Sequence, residues 1–476
     1  LAGYVLFIVE YSTTGLEYQR HLDLPALGTT SVDNPWISDY DESESVLLGP
    51  TKPFCALWFA LGAISMVSQF EQNLKKYVAV IVRAGLNLRP GQRLLIVAPI
   101  EVADFVRLLT AEAYQAQARL VDVIWMDEHL DLIRYQYAPR DSFEEFTAWQ
   151  LNAALDIAEA GDAILYVAAF NPDLLGDQDP ELVATVQQTH AKHWKPYRKL
   201  PLDSHNWIIV AGSVDAWATK VFPDLAPPDG KAKLWDIIFD ICRIKEADPM
   251  STWLDHVREL RARCESLNRK RYTALRLTAP GTDLTVTLPR KHLWKGGRET
   301  TEQGFDFTAN IPTEEVFTIP HRDGTEGTVT STKPLSYSGV LIEDFCLTLS
   351  RGRVVKASAG RGEAALHKLL EMDDGASRLG EVALVPHSSA ISQSGLVFYN
   401  TLIDENASSH LALGRGFKIN LAGGNQMSDE EFAKVGGNFS LIHVDFMVGS
   451  DQMDVAGILD DGRVEPIMRN GEWVFD

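Results

Sequence analysis

Four short segments in the second half of this 476-residue sequence place acids and imidazoles where a core segment has little use for them. Ser440–Met447 reads SLIHVDFM, with His443 and Asp445 two apart inside an apolar run. On a strand these two share one face, and Ile442, Val444 and Phe446 take the other. A buried charge must be paired or bound to a metal, and Asp with His is a good ligand pair for a divalent cation. The same spacing also fits a hydrogen-bonded His–Asp pair in a core. Asn310–Thr318 reads NIPTEEVFT, with Glu314 and Glu315 against Val316 and Phe317. Gly380–Pro386 reads GEVALVP, with Glu381 leading an apolar strand, a position that also suits a strand-edge salt bridge. Asp404–His410 reads DENASSH. There Glu405 and His410 fit helix-start capping equally well, and Asp404 followed by Asn406 suits a turn. Each segment has a structural explanation by itself. Together they bring several carboxylates and two imidazoles into one region.

The elements that must position these residues divide the chain in three. Leu1–Ser65 carries Pro, Gly, Ser and Asp clusters without sustained periodicity, and residues 1–65 read as an atypical extension, native or not. A helical pattern begins just after Met66, with Phe70, Leu74, Tyr77, Val78, Ile81 and Val82 at helical spacing. From there to Arg271 the pattern alternates: strands at 93–99, 120–125, 163–169 and 207–211, and helices at 102–117 and 180–193. Two further helices, at 233–245 and 251–268, close this half. This order predicts an α/β domain (66–271) with a parallel sheet and helices on its faces. After Arg271 the text changes to alternating strands. A hairpin is expected at 273–288 around Pro280-Gly281-Thr282-Asp283, a helix at 362–371, strands near Val382, Leu396 and Leu441, and a closing hairpin at Asp460-Asp461-Gly462. Residues 272–476 therefore read as an α+β domain with a mixed sheet carrying the metal site.

Composition narrows the classes. A net charge of −21 repels phosphate backbones, so nucleic acid is a poor partner. The longest apolar run, Phe54–Val67, falls short of the roughly 20 residues a membrane span needs, so no membrane partner is expected. The cysteines Cys55, Cys242, Cys264 and Cys346 are scattered, which disfavours a disulfide framework or thiolate zinc site and suits a reducing, cytoplasmic compartment. Walker-type, H-E-x-x-H and G-x-S-x-G motifs are absent. Gly360-Arg361-Gly362 matches a dinucleotide loop only in degenerate form, and it lies outside the alternating half.

These four segments, in their order and spacing, resemble the metalloaminopeptidase family of thermophilic aminopeptidase T. The resemblance runs from Met66 to Asp476. It includes the stretches QFEQNLKKYVAVIVRAGLNLRPGQ and GGNFSLIHVDFMVGSDQMDV. It implies a cytoplasmic, homodimeric exopeptidase acting on peptides with a free N-terminus. It also implies two divalent metal ions per site, zinc, cobalt or magnesium/manganese. By the same resemblance Glu315, Glu381, His410, His443 and Asp445 are ligands, with Glu381 shared between the two ions. Glu405 is a further ligand or a close neighbour, and Glu314 the general base, though Glu314 and Glu315 can exchange roles. The family's tyrosine, seven positions after the DENxxSH histidine, corresponds here to Phe417, which offers no hydrogen-bond donor. Another donor substitutes, the register slips locally, or the enzyme is slower. A catalytically impaired binder of peptide or metal is the rival reading. His321, in IPHRD, is a second polar candidate that also reads as a loop histidine.

Overall fold

The computed structural model describes residues 68–337 and 340–474. The extension 1–65, Met66 and the apolar run Phe54–Val67 lie outside the described residues.

Helix Gln69–Ala79 is the first element of the described residues and buries Leu74, Tyr77 and Val78 on one face. Five parallel strands follow in the order Leu120–Met126, Arg93–Pro99, Ala163–Ala168, Trp207–Ala211 and Asn310–Ile311. The central strand Ala163–Ala168 is buried along its whole length, as an apolar run flanked by helices requires. Helices lie between consecutive strands, as the alternating pattern predicts. The fifth strand was not legible as part of this sheet. It comes from the second half of the chain, and it carries the backbone directly toward Glu314 and Glu315.

The remaining strands form antiparallel sheets. An eight-stranded sheet contains the expected hairpin, Ala274–Ala279 with Thr282–Thr287, and the closing hairpin, Asp454–Ile458 with Val464–Arg469. A four-stranded sheet runs Val316–Thr318, Leu379–Leu384, His410–Gly414, His443–Met447. Every pairing in these two sheets is antiparallel, where the sequence pattern predicts a mixed sheet. The parallel partner of this half went to the first sheet instead.

The strand expected at Leu396 does not form. Gly395 and Tyr399 take left-handed φ of 66° and 55°, and the Asp404 carboxylate accepts from the backbone N–H of Phe398 (2.7 Å) and Asn400 (3.0 Å). Those donors are satisfied by a side chain rather than by a ladder. The strand near Leu441 begins two residues later, because the Asp373 carboxylate caps the Ser440 hydroxyl and the Leu441 N–H.

Among the described residues, two large hydrophobic cores support this arrangement. One packs around the parallel sheet and takes in Ile391, Phe398, Leu402 and Ile403 from the second half. The other lies between the antiparallel sheets and includes Val316, Val382, Leu411, Val444 and Phe446.

Candidate metal centre

The four-stranded sheet turns one face to its core and the other to a cleft. Along Leu379–Leu384, His410–Gly414 and His443–Met447 the alternation puts Val382, Leu384, Leu411, Leu413, Val444 and Phe446 into the core. The opposite face then carries Glu381, His410, His443 and Asp445. The register aligns Glu381 with Ala412 and Ala412 with Asp445, so a methyl group separates two carboxylates in one row. Gly380 lets the strands close here. A Cβ at that position would fall 2.3 Å from the Arg415 carbonyl oxygen. Gly414 makes the matching approach beside His443, at φ 99°, with its missing Cβ 2.2 Å from the Ile442 oxygen. Glu315 joins from the residue before strand Val316–Thr318.

The resulting geometry has two lobes. His410 Nε2 lies 3.0 Å from Glu315 Oε2 and 3.5 Å from Glu381 Oε1. His443 Nε2 lies 3.3 Å from Asp445 Oδ1 and 3.7 Å from Glu381 Oε2. Glu315, Glu381 and His410 form one group of convergent donors and Glu381, His443 and Asp445 a second, each with its ligand atoms within 4.8 Å. Glu381 belongs to both and gives one oxygen to each lobe.

Backbone carbonyls orient the imidazoles. His410 Nδ1 donates to the Ser408 oxygen (3.1 Å) and His443 Nδ1 to the Arg415 oxygen (2.6 Å). A carbonyl only accepts, so each Nδ1 carries the hydrogen. In the neutral ring, the Nε2 lone pair then points at the carboxylates, which is how metal-binding histidines are held.

The electrostatics are those of a site short of positive charge. Glu315, Glu381, Glu405 and Asp445 are all buried. Burial, reinforced by Glu315 and Asp445 and opposed by the two histidines, pushes the Glu381 carboxyl up to about 7. Burial and the neighbouring Glu315 and Asp445 hold Glu405 well above the usual carboxylate range. Burial pulls the His443 imidazole down, but Asp445 and Glu381 outweigh it and take it up to about 9. His410 is treated the same way by Glu315 and Glu381 and stands well above its ordinary value. Burial raises Asp445, yet the His443 charge outweighs it and leaves Asp445 lowered. In the metal-free protein, protons must supply the missing positive charge. With both rings neutral, Glu315 Oε2 and Asp445 Oδ1 are buried facing only the Nε2 lone pairs of His410 and His443, with no donor to either. Four carboxylates with two neutral imidazoles match the charge of two divalent cations, and both oxygens belong to residues of the two convergent donor groups. The residues therefore fit a dinuclear centre.

This centre forms part of the wall of a cleft of about 580 Å³, lined also by Tyr166, Tyr197, Trp207, Phe317 and Arg415. Phe417 lines it too, with its ring 4.6 Å from the His443 ring centroid, so no local slip carries that position away from the site. Glu405 lines the cleft but falls outside both ligand groups.

Two candidates lie elsewhere. Glu314 does not line the cleft. Its carboxylate forks onto Arg243, with Nη1 at 2.7 Å and Nη2 at 3.1 Å, because adjacent residues of an extended chain face opposite sides. That position does not suit the base expected there. His321 also stays outside the cleft, its Nδ1 accepting from the Asp323 N–H at 3.2 Å, as a loop histidine would. The sequence reading missed Arg243, Asn406 as a buried connector, and the hydrogen-bonded chain Tyr166–Tyr197–His205 that reaches the cleft from the first half. Arg243 carried one available signal, a cation between apolar residues at the end of a helix.

Comparison with known proteins agrees with this geometry. The sequence profile described as thermophilic metalloprotease (M29) matches residues 70–473. The chain belongs to this family. Aminopeptidase AmpS of Bacillus subtilis is 44% identical over 86% of this chain and all of its own length. Aminopeptidase 2 of Geobacillus stearothermophilus is 45% identical over the same shares. The solved structure of wild-type AmpT from Thermus thermophilus is 42% identical, with a TM-score of 0.80 over 85% of this chain and 100% of that one. As an M29 protein the chain is thus similar in sequence to proteins named as aminopeptidases, and in fold to a solved structure of AmpT. Among the described residues, no helix is long and apolar enough to cross a membrane.

Proposed function

We propose that this M29 protein is a metal-dependent aminopeptidase that removes residues from the free N-termini of peptides. The observation that carries this reading is the pair of buried ligand groups sharing Glu381 in the wall of a cleft. Glu315, Glu381 and His410 would hold one divalent ion, and Glu381, His443 and Asp445 the other; zinc, cobalt, magnesium and manganese are the candidates. When bound, two such ions would lower the pKa of a water toward neutrality and polarise the scissile carbonyl.

The chain's own groups do the rest. The acidic floor attracts the peptide's α-ammonium group, which restricts attack to chain ends. Glu405 lines the cleft beside the ligand groups and is the carboxyl best placed to take a proton and return it to the leaving amine. It replaces Glu314 in that role, since the Glu314 carboxylate is engaged by Arg243. The aromatic wall of Tyr166, Tyr197, Trp207 and Phe417 excludes water from the reacting bond. The same proposal includes a division near residue 271 between a cleft-covering half and a metal-binding half, a homodimer, and a cytoplasmic location.

The test is release of p-nitroaniline from aminoacyl substrates with and without an N-acetyl block. Cleavage of the unblocked substrates alone, lost in EDTA and restored by cobalt or zinc, is expected. Two bound metals per chain without turnover would favour the impaired relative, with Phe417 as the reason. Absence of bound metal would remove the ligand assignment itself.

A further inference from the structure

The buried groups behind the metal centre form a second, connected structure. Arg243 follows helix Pro227–Ile241 and takes a left-handed φ of 61°, a conformation unfavourable for a side-chain-bearing residue. That turn aims its guanidinium at Glu314, which is only 4% exposed. The pair is bidentate, at 2.7 and 3.1 Å. His256, on helix Pro249–Lys270, donates from Nε2 to the Thr313 carbonyl at 2.7 Å and holds the same loop one residue earlier. The Glu314 N–H donates to Asn406 Oδ1 at 2.7 Å, and the Asn406 amide donates in turn to the Leu402 carbonyl at 3.1 Å. Asn406 is fully buried and directly follows Glu405.

One side chain thus ties the loop that carries Glu315 to the turn that carries Glu405. These are two buried carboxylates that line the same cleft, so like charges face each other there. Repulsion drives them apart, and the loop 312–315 has no ladder hydrogen bonds of its own to resist it. A charge-assisted fork on one side and an amide bridge on the other supply that resistance.

We infer that Arg243, Glu314 and Asn406 act as a positioning clamp that sets Glu315 for one of the two metal sites and not for the other. The asymmetry follows from the ligand groups. Glu315 belongs only to the group with Glu381 and His410, while the group of Glu381, His443 and Asp445 contains no residue on the clamped loop. The inference rests on the dinuclear reading above, and its test separates the two.

Wild type, Glu314→Gln and Asn406→Leu are dialysed to equilibrium against graded free cobalt(II), and bound metal is counted by elemental analysis. The visible spectrum of cobalt reports each occupied environment. Wild type is expected to fill two sites. In each variant one ion should bind 10- to 100-fold more weakly, the usual range for a lost partner of a metal ligand, while the other shifts less than about threefold. Arg243→Lys, which keeps the charge but not the fork, should fall between wild type and Glu314→Gln. Merely lowered stability would not split the two affinities, and melting in EDTA is recorded alongside. If Asn406→Leu does not fold, Glu314→Gln decides. Equal weakening of both ions, or no weakening, overturns the clamp with the metal centre intact. A wild type that binds no cobalt overturns the dinuclear reading and the clamp with it.

Discussion

Glu314 and Glu315 are neighbours in sequence, both buried, and belong to two clusters of opposite character. Behind the loop, Glu314 meets Arg243 in a fork, and His256 lies 3.7 Å from its Oε2. Charge is matched there and the hydrogen bonds are made. In the cleft, Glu315 meets Glu381, Glu405 and Asp445, with only two imidazoles to offset them. The first cluster is what a fold does with buried charge for its own sake. The second is stable only with added positive charge, and that surplus marks it as a site. Burial alone does not distinguish them.

This contrast can be broken most forcefully at Glu381. Replacing it with Gln removes the negative charge common to both groups and leaves one oxygen where each lobe had its own, and kcat should fall by on the order of a thousandfold, since electrostatic stabilisation of the reacting groups is lost. The same substitution should raise the melting temperature of the metal-free protein, because it removes one of four mutually repelling buried carboxylates. Scanning calorimetry in EDTA, beside an activity assay with metal restored, reads both. A lowered metal-free melting temperature would mean that the surplus charge has been misjudged. Glu314→Ala should do the reverse in the same calorimeter. It leaves Arg243 without its partner and should destabilise the metal-free protein by roughly 3 kcal/mol. The two neighbouring positions are thus expected to move stability in opposite directions.

Phe417 tests a smaller difference within the cleft. Its ring packs on His443 and, edge-on, on Phe317 at a centroid distance of 6.5 Å. Phe417→Tyr adds a hydroxyl at the cleft wall and should raise kcat about tenfold, toward the upper end of about a hundredfold that one well-placed donor can contribute. KM should change little. An unchanged kcat would indicate that another donor already serves the reaction.

The legible parts of the molecule are those where a local pattern decides the outcome. In His443–Met447 the period of two alone puts His443 and Asp445 on one face, and the structure keeps them there. The parallel strands were equally plain, because apolar runs such as Ala163–Ala168 recur between amphipathic helices. What stayed hidden depends on partners far away in sequence. Which of Glu314 and Glu315 faces the cleft is decided by Arg243, 71 residues earlier, and by Asn406, 92 residues later. Asp404 reads as a turn residue, and it does stabilise a turn, but by taking backbone donors at Phe398 and Asn400 it also cancels a strand that the apolar letters around Leu396 suggest. The short strand Asn310–Ile311 reads as part of the second half, yet it completes the first sheet beside Trp207–Ala211. Two residues carry no periodicity to read.

The smallest expected effect is in pH, and it sharpens the same comparison. In the metal-free protein the Glu381 carboxyl stands up at about 7 and His443 at about 9, both above their ordinary values. For a raised group, the folded state binds the proton more tightly than the unfolded one. Its stabilising contribution is complete below the unfolded pKa and is lost as pH rises through the folded value. Glu381 therefore loses its contribution between roughly pH 4.5 and 7, and His443 between roughly pH 6.5 and 9. Asp445 is lowered, so its contribution opposes this trend only in the acid range, where it disappears as pH falls below the ordinary carboxylate value. The melting temperature in EDTA should then drop by about 5 °C between pH 7 and 9. With cobalt or zinc present the slope should flatten or reverse, since deprotonated ligands bind the cation more tightly. Glu381→Gln removes the lower part of this dependence, whereas Glu314→Gln, in the charge-matched cluster, should leave the slope as it is. A metal-free protein whose melting point is level from pH 6 to 9 would show that the cleft carboxylates are already neutralised by groups of the fold itself.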